Sequence, residues 1–319
     1  MNLRNFLIVG GSGFIGSAIA RKLSALGRKV VIPTRRRERA KHLILLPTVD
    51  VIEADIHDSR ELDRMVAGAD VVISLVGILH SDTGNPYGKR FKQAHVDLPS
   101  KIAIACAAAG VPRLLHMSAL GAAADGPSMY LRSKAAGEAA VREVMGSVAV
   151  TIFRPSVVFG RDDRFINLFA HMQRVAPFVP VGRADSRLQP VHVEDVAQAM
   201  VNAADKPVSF RRAYDLAGPN VYTLRQIIQY AGQVGGYSRP VVGLPDALAY
   251  LQAWMMEFAP LELLSRDNLD SLKVDSVTSE RFAPELDVLP TSMEAIVPGY
   301  LGGHSPRERY MQLRDRAGR

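Results

Sequence analysis

The sequence predicts an α/β fold, a Rossmann-type doubly wound parallel sheet with a smaller C-terminal α/β lobe. Short β-branched runs alternate with longer helical patterns through the first half of the 319 residues, which is typical of a parallel sheet covered on both faces. A glycine-rich turn joins the first strand to the first helix. After about residue 155 prolines become frequent and the strand signals shrink to short pieces.

The first half contains six predicted strands: Phe6–Val9, Val30–Ile32, Val49–Glu53, Val71–Val76, Leu114–Met117 and Val148–Phe153. Helical patterns lie between them at Ile15–Leu26, Ser59–Val66, Phe91–Ala109 and Tyr130–Met145. Three of these helices are followed closely by a glycine, where a left-handed cap favours that residue. These glycines are Gly27, Gly68 and Gly110.

The second half is predicted to have strands at Pro190–Val193 and Ala213–Leu216 and helices at Glu194–Ala204, Leu224–Ala231 and Ala247–Phe258. We therefore divide the chain into a Rossmann domain, residues 1–155, and a smaller substrate or docking lobe, residues 156–319. The two are expected to be interleaved in space. The segment Asp246–Leu264 is apolar and carries the only tryptophan. It is interpreted mainly as core of the lobe, with an exposed face that docks a partner or a membrane surface as the alternative.

The charge pattern argues against a nucleic-acid partner. The net charge of +7 comes mostly from arginine, with 30 Arg against 9 Lys spread along the chain. Beyond residues 35–39 there is no basic tract, and no nucleic-acid-binding module is recognisable. We therefore expect no nucleic acid to bind. No two of the eight histidines have metal-ligand spacing with carboxylates, so no metal is expected either.

Cysteine content and hydropathy bound the expected compartment. Cys106 is the only cysteine, so no disulfide framework is possible and a reducing compartment is expected. The sequence passes from Met1 directly into a strand with no signal segment, and no apolar run reaches membrane-spanning length. We expect a soluble cytoplasmic protein, with peripheral attachment to the inner face of a membrane left open.

The glycine turn is the first chemical motif. "VGGSGFIG" satisfies both G-x-x-G-x-x-G and G-x-G-x-x-G between a strand and a helix. Glycines there permit a tight turn and let backbone N–H groups approach a pyrophosphate at the helix N-terminus. The motif lacks the Gly-Lys-Ser/Thr ending of an ATP loop. It predicts a dinucleotide site, with an unliganded turn as the alternative.

The end of the second strand selects the dinucleotide. About 20 residues after the glycine turn a carboxylate usually binds the adenosine ribose 2′-hydroxyl of NAD. This chain has Thr34 followed by Arg35, Arg36 and Arg37, and guanidinium groups can bind a 2′-phosphate bidentately. The sequence therefore predicts NADP(H) over NAD(H), held by Arg35 and Arg36, while Arg37 and Arg39 are left to solvent. An exposed basic turn without a ligand is the alternative.

Other candidate contacts follow the third and fourth strands. Asp55 and Ile56 are placed to meet the adenine, and Gly77 would let the chain pass close to the cofactor. The full predicted cofactor-binding set is Gly10, Gly11, Ser12, Gly13, Phe14, Ile15, Gly16, Arg35, Arg36, Asp55, Ile56, Val76, Gly77, Lys134 and Pro155.

A tyrosine and a lysine in "SMYLRSKAAGE" predict the reacting end of the site. Tyr130 and Lys134 are four apart on a predicted helix and therefore share a face. Ser118 ends the preceding strand. An ammonium group one turn away stabilises a phenolate, and a serine hydroxyl can hold a substrate oxygen. We interpret Ser118, Tyr130 and Lys134 as the catalytic set. A surface tyrosine with a solvated lysine is the alternative.

Together these motifs resemble the short-chain dehydrogenase/reductase superfamily. "FRPSVVFGRDDRFINLF" and "QPVHVEDVAQAM" are similar to its extended and atypical branches, the NAD-dependent epimerase/dehydratase-like proteins. "YLRSKAAGE", "RPSVVFGRDDRFIN" and "QPVHVEDVA" resemble the nucleotide-binding accessory subunits of respiratory complex I and their bacterial relatives. This resemblance covers residues 3–220 well and implies a tightly held NADP(H), a Rossmann lobe, and a structural or assembly role beside a respiratory-complex or membrane-peripheral partner.

Some positions depart from sugar-nucleotide epimerases. Val9 precedes the glycines where those enzymes usually carry threonine, and the fourth strand runs into "SLVGIL" instead of a His-x-Ala-Ala stretch. His95 in "QAHVDLP" stands where they typically carry asparagine. A sugar-nucleotide substrate is therefore disfavoured. Two functions stay open: a protein that retains NADP(H) in an accessory or quinone-related role, and an active NADP(H)-dependent oxidoreductase on a carbonyl or alcohol.

Overall fold

A computed structural model describes residues 3–257, 264–280 and 282–302, together with Arg314. The strands are β1 Asn5–Val9, β2 Lys29–Thr34, β3 Val49–Glu53, β4 Val71–Ser74, β5 Arg113–Met117, β6 Ala149–Pro155, β7 Val158–Phe159, β8 Val179–Gly182, β9 Arg187–Leu188, β10 Val191–His192, β11 Ala213–Leu216, β12 Tyr222–Thr223 and β13 Val241–Leu244.

The α-helices are α1 Phe14–Ala25, α2 Ser59–Val66, α3 Lys89–Phe91, α4 Leu98–Ala108, α5 Met129–Arg142, α6 Phe165–Val175, α7 Val193–Asp205, α8 Leu224–Val234, α9 Asp246–Glu257, α10 Arg266–Ser271, α11 Met293–Ile296 and α12 Pro298–Leu301. A π-helical turn, Lys92–Asp97, joins α3 to α4, and 3₁₀ turns cover Arg37–Leu43, Pro207–Ser209 and Pro284–Leu286.

Seven parallel strands form the central sheet in the order β3-β2-β1-β4-β5-β6-β11. Helices α1 and α7 cover one face, and α2, α4 and α5 cover the other. The chain reverses direction across the sheet between β1 and β4, and ligands of such folds bind at the carboxyl ends of the strands at this switch point. The predicted Rossmann-type fold is confirmed.

The second half of the chain contributes to both parts of the molecule. Strand β11 completes the central sheet beside β6, and α7 packs against α1. The remaining elements form a separate apolar cluster around Phe159, Ile227 and Ile228. A smaller cluster joins α9 to α10 through Ala249, Ala253 and Leu269. The small lobe therefore lies beside the sheet, and the same half of the chain also supplies strand β11 of that sheet.

Two of the differences from the sequence-based element boundaries bear on the site. Strand β4 ends at Ser74, so Gly77 lies in the following loop. The helix expected over Phe91–Ala109 is interrupted by the π-helical turn Lys92–Asp97. Such turns insert an extra residue without changing the apolar periodicity enough to be read from sequence, and they occur frequently at functional sites.

Candidate functional site

The glycine turn has the geometry of a dinucleotide cradle. Gly10 adopts a φ of +90°, a left-handed conformation that favours glycine. A Cβ on Gly16 would lie 2.5 Å from the Gly11 Cα, so only glycine lets α1 start this close to the turn. A Cβ on Gly10 would lie 3.1 Å from the Val76 amide nitrogen. The turn is therefore pressed against the end of β4, at the switch point of the sheet.

The N-terminus of α1 is built to receive an anion. Its N-cap is Gly13, no side chain caps the first turn, and no acidic residue lies there. The N–H groups of the first turn, which include those of Phe14 and Ile15, therefore point to where a pyrophosphate would lie, with the positive end of the helix dipole behind them. Ser12 lies half-buried in the same turn. These residues fit a dinucleotide.

The basic turn at the end of β2 is exposed but tied to the glycine turn. Arg35 and Arg36 are both exposed, and no ion pair engages either one within the described ranges. The 3₁₀ turn that begins at Arg37 is anchored to α1, because the Ser17 hydroxyl lies 2.9 Å from Nε2 of His42. Both guanidinium groups are thus free to reach a ligand from a fixed backbone.

A small cavity of about 330 Å³ lies beside this turn, where the adenosine end was predicted. It is lined by Arg35, Glu53, Ala54, Asp55 and Glu61. Asp55 is exposed and its N–H donates to Glu61. Ile56 is half-buried against the sheet. The structure thus brings Arg35 and Asp55 together, whereas Arg36 is not part of the lining. The carboxylates oppose an added phosphate, a feature that the sequence interpretation did not include.

At the other end of the switch point, β5 and α5 place the predicted catalytic residues. The Ser118 hydroxyl is buried and makes no hydrogen bond within the described residues. The Lys134 ammonium group is 5% exposed and donates to the Met117 carbonyl at 2.8 Å. A Cβ on Gly77 would lie 3.8 Å from Nζ of Lys134, so this ammonium group faces the loop after β4. The orphaned hydroxyl and the buried cation fit a sugar hydroxyl of a cofactor or a substrate oxygen.

Val76 and Pro155 flank this end. Val76 is half-buried in the loop two residues after β4, and Pro155 is buried at the end of β6. The Pro155 carbonyl accepts from the Leu120 N–H at 2.9 Å. Both therefore lie at the carboxyl edge of the sheet.

Tyr130 is not activated in the expected way. Its half-buried ring packs against His95 at 5.5 Å and Phe91 at 6.1 Å between centroids. Burial raises the pKa of Tyr130 to about 12 and lowers the pKa of Lys134 to about 8. Desolvation is the dominant influence on the Tyr130 pKa, so the phenol keeps its proton. A protonated phenol can serve as a hydrogen-bond donor or a proton donor.

Helix α5 is held at its start by the small lobe. Asp267 of α10 accepts the N–H groups of Met129 and Tyr130 at 2.6 and 3.1 Å. The Ser128 hydroxyl accepts the Leu131 N–H and lies 2.8 Å from the Ser271 hydroxyl. A carboxylate at a helix N-terminus is favourable because it satisfies orphan donors and complements the dipole. The sequence interpretation missed Asp267, and no local pattern could reveal a contact 137 residues away.

The middle of α5 is fixed by charge and by close packing. Glu138 is 4% exposed and makes a bidentate ion pair with Arg154, with distances of 2.7 and 2.6 Å. A Cβ on Gly137 would lie 2.0 Å from the His95 carbonyl oxygen, so glycine is required where α5 meets the π-helical turn. The helix that carries Tyr130 and Lys134 is therefore pinned along its length.

A cleft of about 780 Å³ opens next to Met129, between the loop after β4 and the small lobe. The loop contributes His80 to Gly84, α5 contributes Arg132, and the lobe contributes Tyr250 and Asp267. Arg132 fastens the loop by donating to the Pro86 carbonyl at 2.9 Å. This cleft is the candidate substrate or ligand site.

The apolar segment Asp246–Leu264 is described for α9 and for Leu264, while residues 258–263 lie outside the described residues. Helix α9 packs inward through Ala249, Ala253 and the partly buried Tyr250, whereas four of its large apolar side chains face outward. The expectation that the segment is mainly core is therefore wrong for α9. The exposed α9 face consists of Leu248, Leu251, Trp254 and Met255, each 45–55% exposed.

None of the helices in the described residues is long and apolar enough to cross a bilayer. Among the same residues, the His, Cys, Asp and Glu side chains form no group of three that could hold a metal ion.

The chain is similar to a known protein family and to several curated proteins. Residues 6–217 match the model of the NAD dependent epimerase/dehydratase family. Among curated relatives, the mouse NADH dehydrogenase (ubiquinone) 1 alpha subcomplex subunit 9, a mitochondrial protein, is 32% identical over 90% of this chain and 77% of its own. A ceramide reductase of Caulobacter vibrioides is 31% identical over 77% of each chain.

A solved structure agrees in fold. A dTDP-glucose 4,6-dehydratase of Streptomyces venezuelae, DesIV, with NAD bound, superposes with a TM-score of 0.66 at 20% identity over 76% of this chain and 85% of its own.

Proposed function

Because this chain belongs to the NAD dependent epimerase/dehydratase family, and because a nicotinamide dinucleotide is the cofactor class of that family, we propose that it is a nucleotide-holding accessory protein of a respiratory NADH dehydrogenase. The observation that carries the proposal is the likeness to the mouse subunit, which spans 90% of the chain and therefore both halves.

The residues that would hold the cofactor follow from the site. The first turn of α1 would bind the pyrophosphate, Arg35 and Asp55 would lie at the adenosine end, and Lys134 with Ser118 would meet the nicotinamide ribose. A bound nicotinamide supplies a hydride donor or acceptor. In a retained complex, Tyr130 holds its proton, and the burial of Lys134 keeps its ammonium group out of bulk water.

We propose NADP(H) as the bound form, with Arg35 and Arg36 as the 2′-phosphate ligands. Their freedom from ion pairs supports this, although Glu53 and Glu61 flank Arg35. The test is mass spectrometry of the nucleotide released by the purified protein, followed by calorimetry with NADP⁺ and NAD⁺. Arg35→Ala and Arg36→Ala should each weaken NADP⁺ binding and leave NAD⁺ binding nearly unchanged. Arg39→Ala is the matched control, and release of NAD alone would refute the assignment.

The accessory role is tested by fractionation. A tagged chain expressed in its own cells should co-purify with the membrane NADH dehydrogenase and release its nucleotide on denaturation. We propose that the protein lies peripherally on the inner face of the membrane, with the dinucleotide bound by residues 1–155 and the partner met by the lobe of residues 156–319. A protein found only in the soluble fraction, with turnover of its own, would refute the role.

A second candidate is an NADP(H)-dependent reductase of a lipid carbonyl. The cleft of about 780 Å³, which Met129 and Arg132 of α5 and Tyr250 of α9 line, favours it, as does the likeness to a ceramide reductase. Here Tyr130 would donate a proton to the carbonyl oxygen. The test is NADPH oxidation with long-chain carbonyls and quinones, with Tyr130→Phe as the control. Activity lost in Tyr130→Phe would establish the reductase, and equal inertness of both proteins would exclude it.

A further inference from the structure

A chain of hydrogen bonds runs through the buried side chain of His95. The Ile78 N–H donates to Nε2 of His95 at 3.0 Å, and Nδ1 lies 2.8 Å from the Ser133 hydroxyl. That hydroxyl donates in turn to the Tyr130 carbonyl at 2.7 Å. Because Nε2 accepts, it carries no proton, so the ring is the Nδ1–H tautomer and donates to Ser133. One imidazole thereby joins the loop after β4 to the first turn of α5.

The ring is also held by packing. His95 is 1% exposed and stacks on Phe91 with centroids 5.2 Å apart and planes at 21°. The Tyr130 ring meets it edge-on at 84°. His95 lies in the π-helical turn, against which Gly137 of α5 fits without room for a Cβ. The π-helical turn, the close packing against Gly137 and the stacking on Phe91 therefore together fix the position of the His95 ring.

The surroundings keep the imidazole neutral. Burial first, and then the nearby Lys134 and His116, lower the pKa of His95 to about 2. A protonated ring would lose its acceptor at Nε2 and release Ile78. The neutral form thus preserves the link at all ordinary pH values.

We propose that His95 is a positioning residue that locks the backbone at Gly77 and Ile78 to the Tyr130 turn. It thereby holds the loop after β4, which contributes His80 to Gly84 to the cleft, in fixed relation to α5. The proposal rests on the proposed function only in that Gly77 faces the bound dinucleotide. The same link continues outward, since the next carbonyl, that of Leu79, accepts from Asn268 of α10 at 3.3 Å.

Two substitutions of His95 distinguish the contribution of its hydrogen bonds from the contribution of its ring packing. His95→Phe keeps an aromatic ring between Phe91 and Tyr130 but has no polar atoms. His95→Gln loses the ring but offers an acceptor and a donor at about the spacing of the two ring nitrogens. His192→Phe is the matched control, because His192 packs on Phe159 with centroids 5.4 Å apart in another part of the molecule.

The first readout is hydrogen exchange at the Ile78 amide in the nucleotide-free protein. His95→Phe should exchange about tenfold faster there, as expected for loss of one buried hydrogen bond. His95→Gln should stay within about threefold of wild type, and His192→Phe should match wild type. The second readout is the dissociation constant for NADP⁺, which should rise about five- to tenfold in His95→Phe and recover most of that loss in His95→Gln.

Wild-type exchange and affinity in His95→Phe would overturn the proposal, and so would equal losses in the Phe and Gln variants, which would assign the effect to the ring. If His95→Phe does not fold, ¹⁵N spectra of the wild-type histidines decide. A His95 that keeps the Nδ1–H tautomer from pH 5 to 8 supports the link, and one that titrates in that range refutes it. The exchange and ¹⁵N readouts need no nucleotide. Failure to bind any dinucleotide would therefore sink the proposed function alone.

Discussion

At the residue scale, a buried arginine outside the cofactor site makes an unusually large set of hydrogen bonds. Arg113 of β5 is fully buried and no carboxylate pairs with it within the described ranges. Its guanidinium group donates to the carbonyls of Ala149, Ala203 and Ala204 at 2.6–3.3 Å, and to two hydroxyls, those of Thr151 and Ser209. The last carbonyls of α7 thus receive donors, and a cation lies at the negative end of that helix.

We predict that Arg113→Met lowers the free energy of unfolding by about 3–5 kcal/mol, because it leaves several buried acceptors without donors. Arg113→Lys keeps the charge but offers fewer donors, so its free energy of unfolding should lie between those of wild type and Arg113→Met. Urea unfolding followed by circular dichroism measures both. A Met variant within about 1 kcal/mol of wild type would show that the burial cost of the cation, which lowers its pKa to about 9, cancels its hydrogen bonds.

Lys134 makes stability depend on pH. Its pKa is lowered from 10.5 to about 8, first by burial, so between these values the unfolded chain binds a proton that the folded chain has released. The free energy of unfolding therefore rises with pH across this window, by up to about 3 kcal/mol from this group. We predict that the free energy of unfolding of Lys134→Met exceeds that of wild type by the largest amount at pH 7. This difference should shrink towards pH 10. Denaturation at several pH values measures the difference, and an unchanging difference would contradict a lowered pKa.

The same titration bears on ligand binding. Below about pH 8 the ammonium group is present in the nucleotide-free site, and above it the cation is progressively lost. NADP⁺ affinity of wild type should therefore decline as the pH rises past 8, and Lys134→Met should bind weakly with little pH dependence. Calorimetry at pH 7 and pH 9 tests this.

At the element scale, the sequence located the sheet better than it located the lobe. The predicted strand Val49–Glu53 and helix Ser59–Val66 match the observed bounds, because their apolar periodicity is local. The two-residue strands β7, β9 and β12 carry no such signal, since their pairing is set by distant partners. For α9 the expectation of a core segment is wrong, because the helix buries two alanines and exposes four larger apolar residues.

In the candidate site, too, local sequence predicts some residues, whereas others depend on contacts that are distant in the chain. The glycine turn is predictable from sequence because close backbone approach leaves a glycine motif in the chain. The positions of Ser118 and Lys134 near it are predictable because a strand end and helical spacing determine them. Asp267 was missed, and His95 was noted only as a departure from the epimerases, because their roles depend on hydrogen bonds to residues 17 to 138 positions away.

Helix α5 depends on α10 for its N-terminal cap. We predict that Asp267→Ala destabilises the protein by about 1–2 kcal/mol and speeds hydrogen exchange at Met129 and Tyr130. Asp267→Asn keeps one acceptor oxygen and should lose about half as much. Asp270→Asn is the control on the same helix, because Asp270 contacts Tyr250 and Lys273 instead of α5. Unchanged exchange at the start of α5 in Asp267→Ala would show that Ser128 caps the helix sufficiently alone.

At the scale of the whole molecule, the cofactor site and the exposed α9 face belong to different surfaces. The glycine turn and α5 lie at the carboxyl edge of the sheet, while α9 packs on β8 and α10 of the small lobe. Exposed large apolar residues on one helix are unfavourable in water unless a partner covers them. A chain that only retained a nucleotide would gain nothing from this face, whereas an accessory subunit would use it.

We therefore predict that Leu251→Gln combined with Met255→Gln abolishes co-purification with the respiratory complex while leaving nucleotide content and thermal stability close to wild type. Both side chains are about half exposed, so their replacement removes little buried apolar area from the folded chain. The control is Val208→Gln, an equally exposed apolar residue in the 3₁₀ turn Pro207–Ser209. Co-purification that survives the double substitution would place the contact elsewhere on the molecule. Loss of bound nucleotide together with the partner would instead show that docking and cofactor retention are coupled through α10, which contacts both α9 and α5.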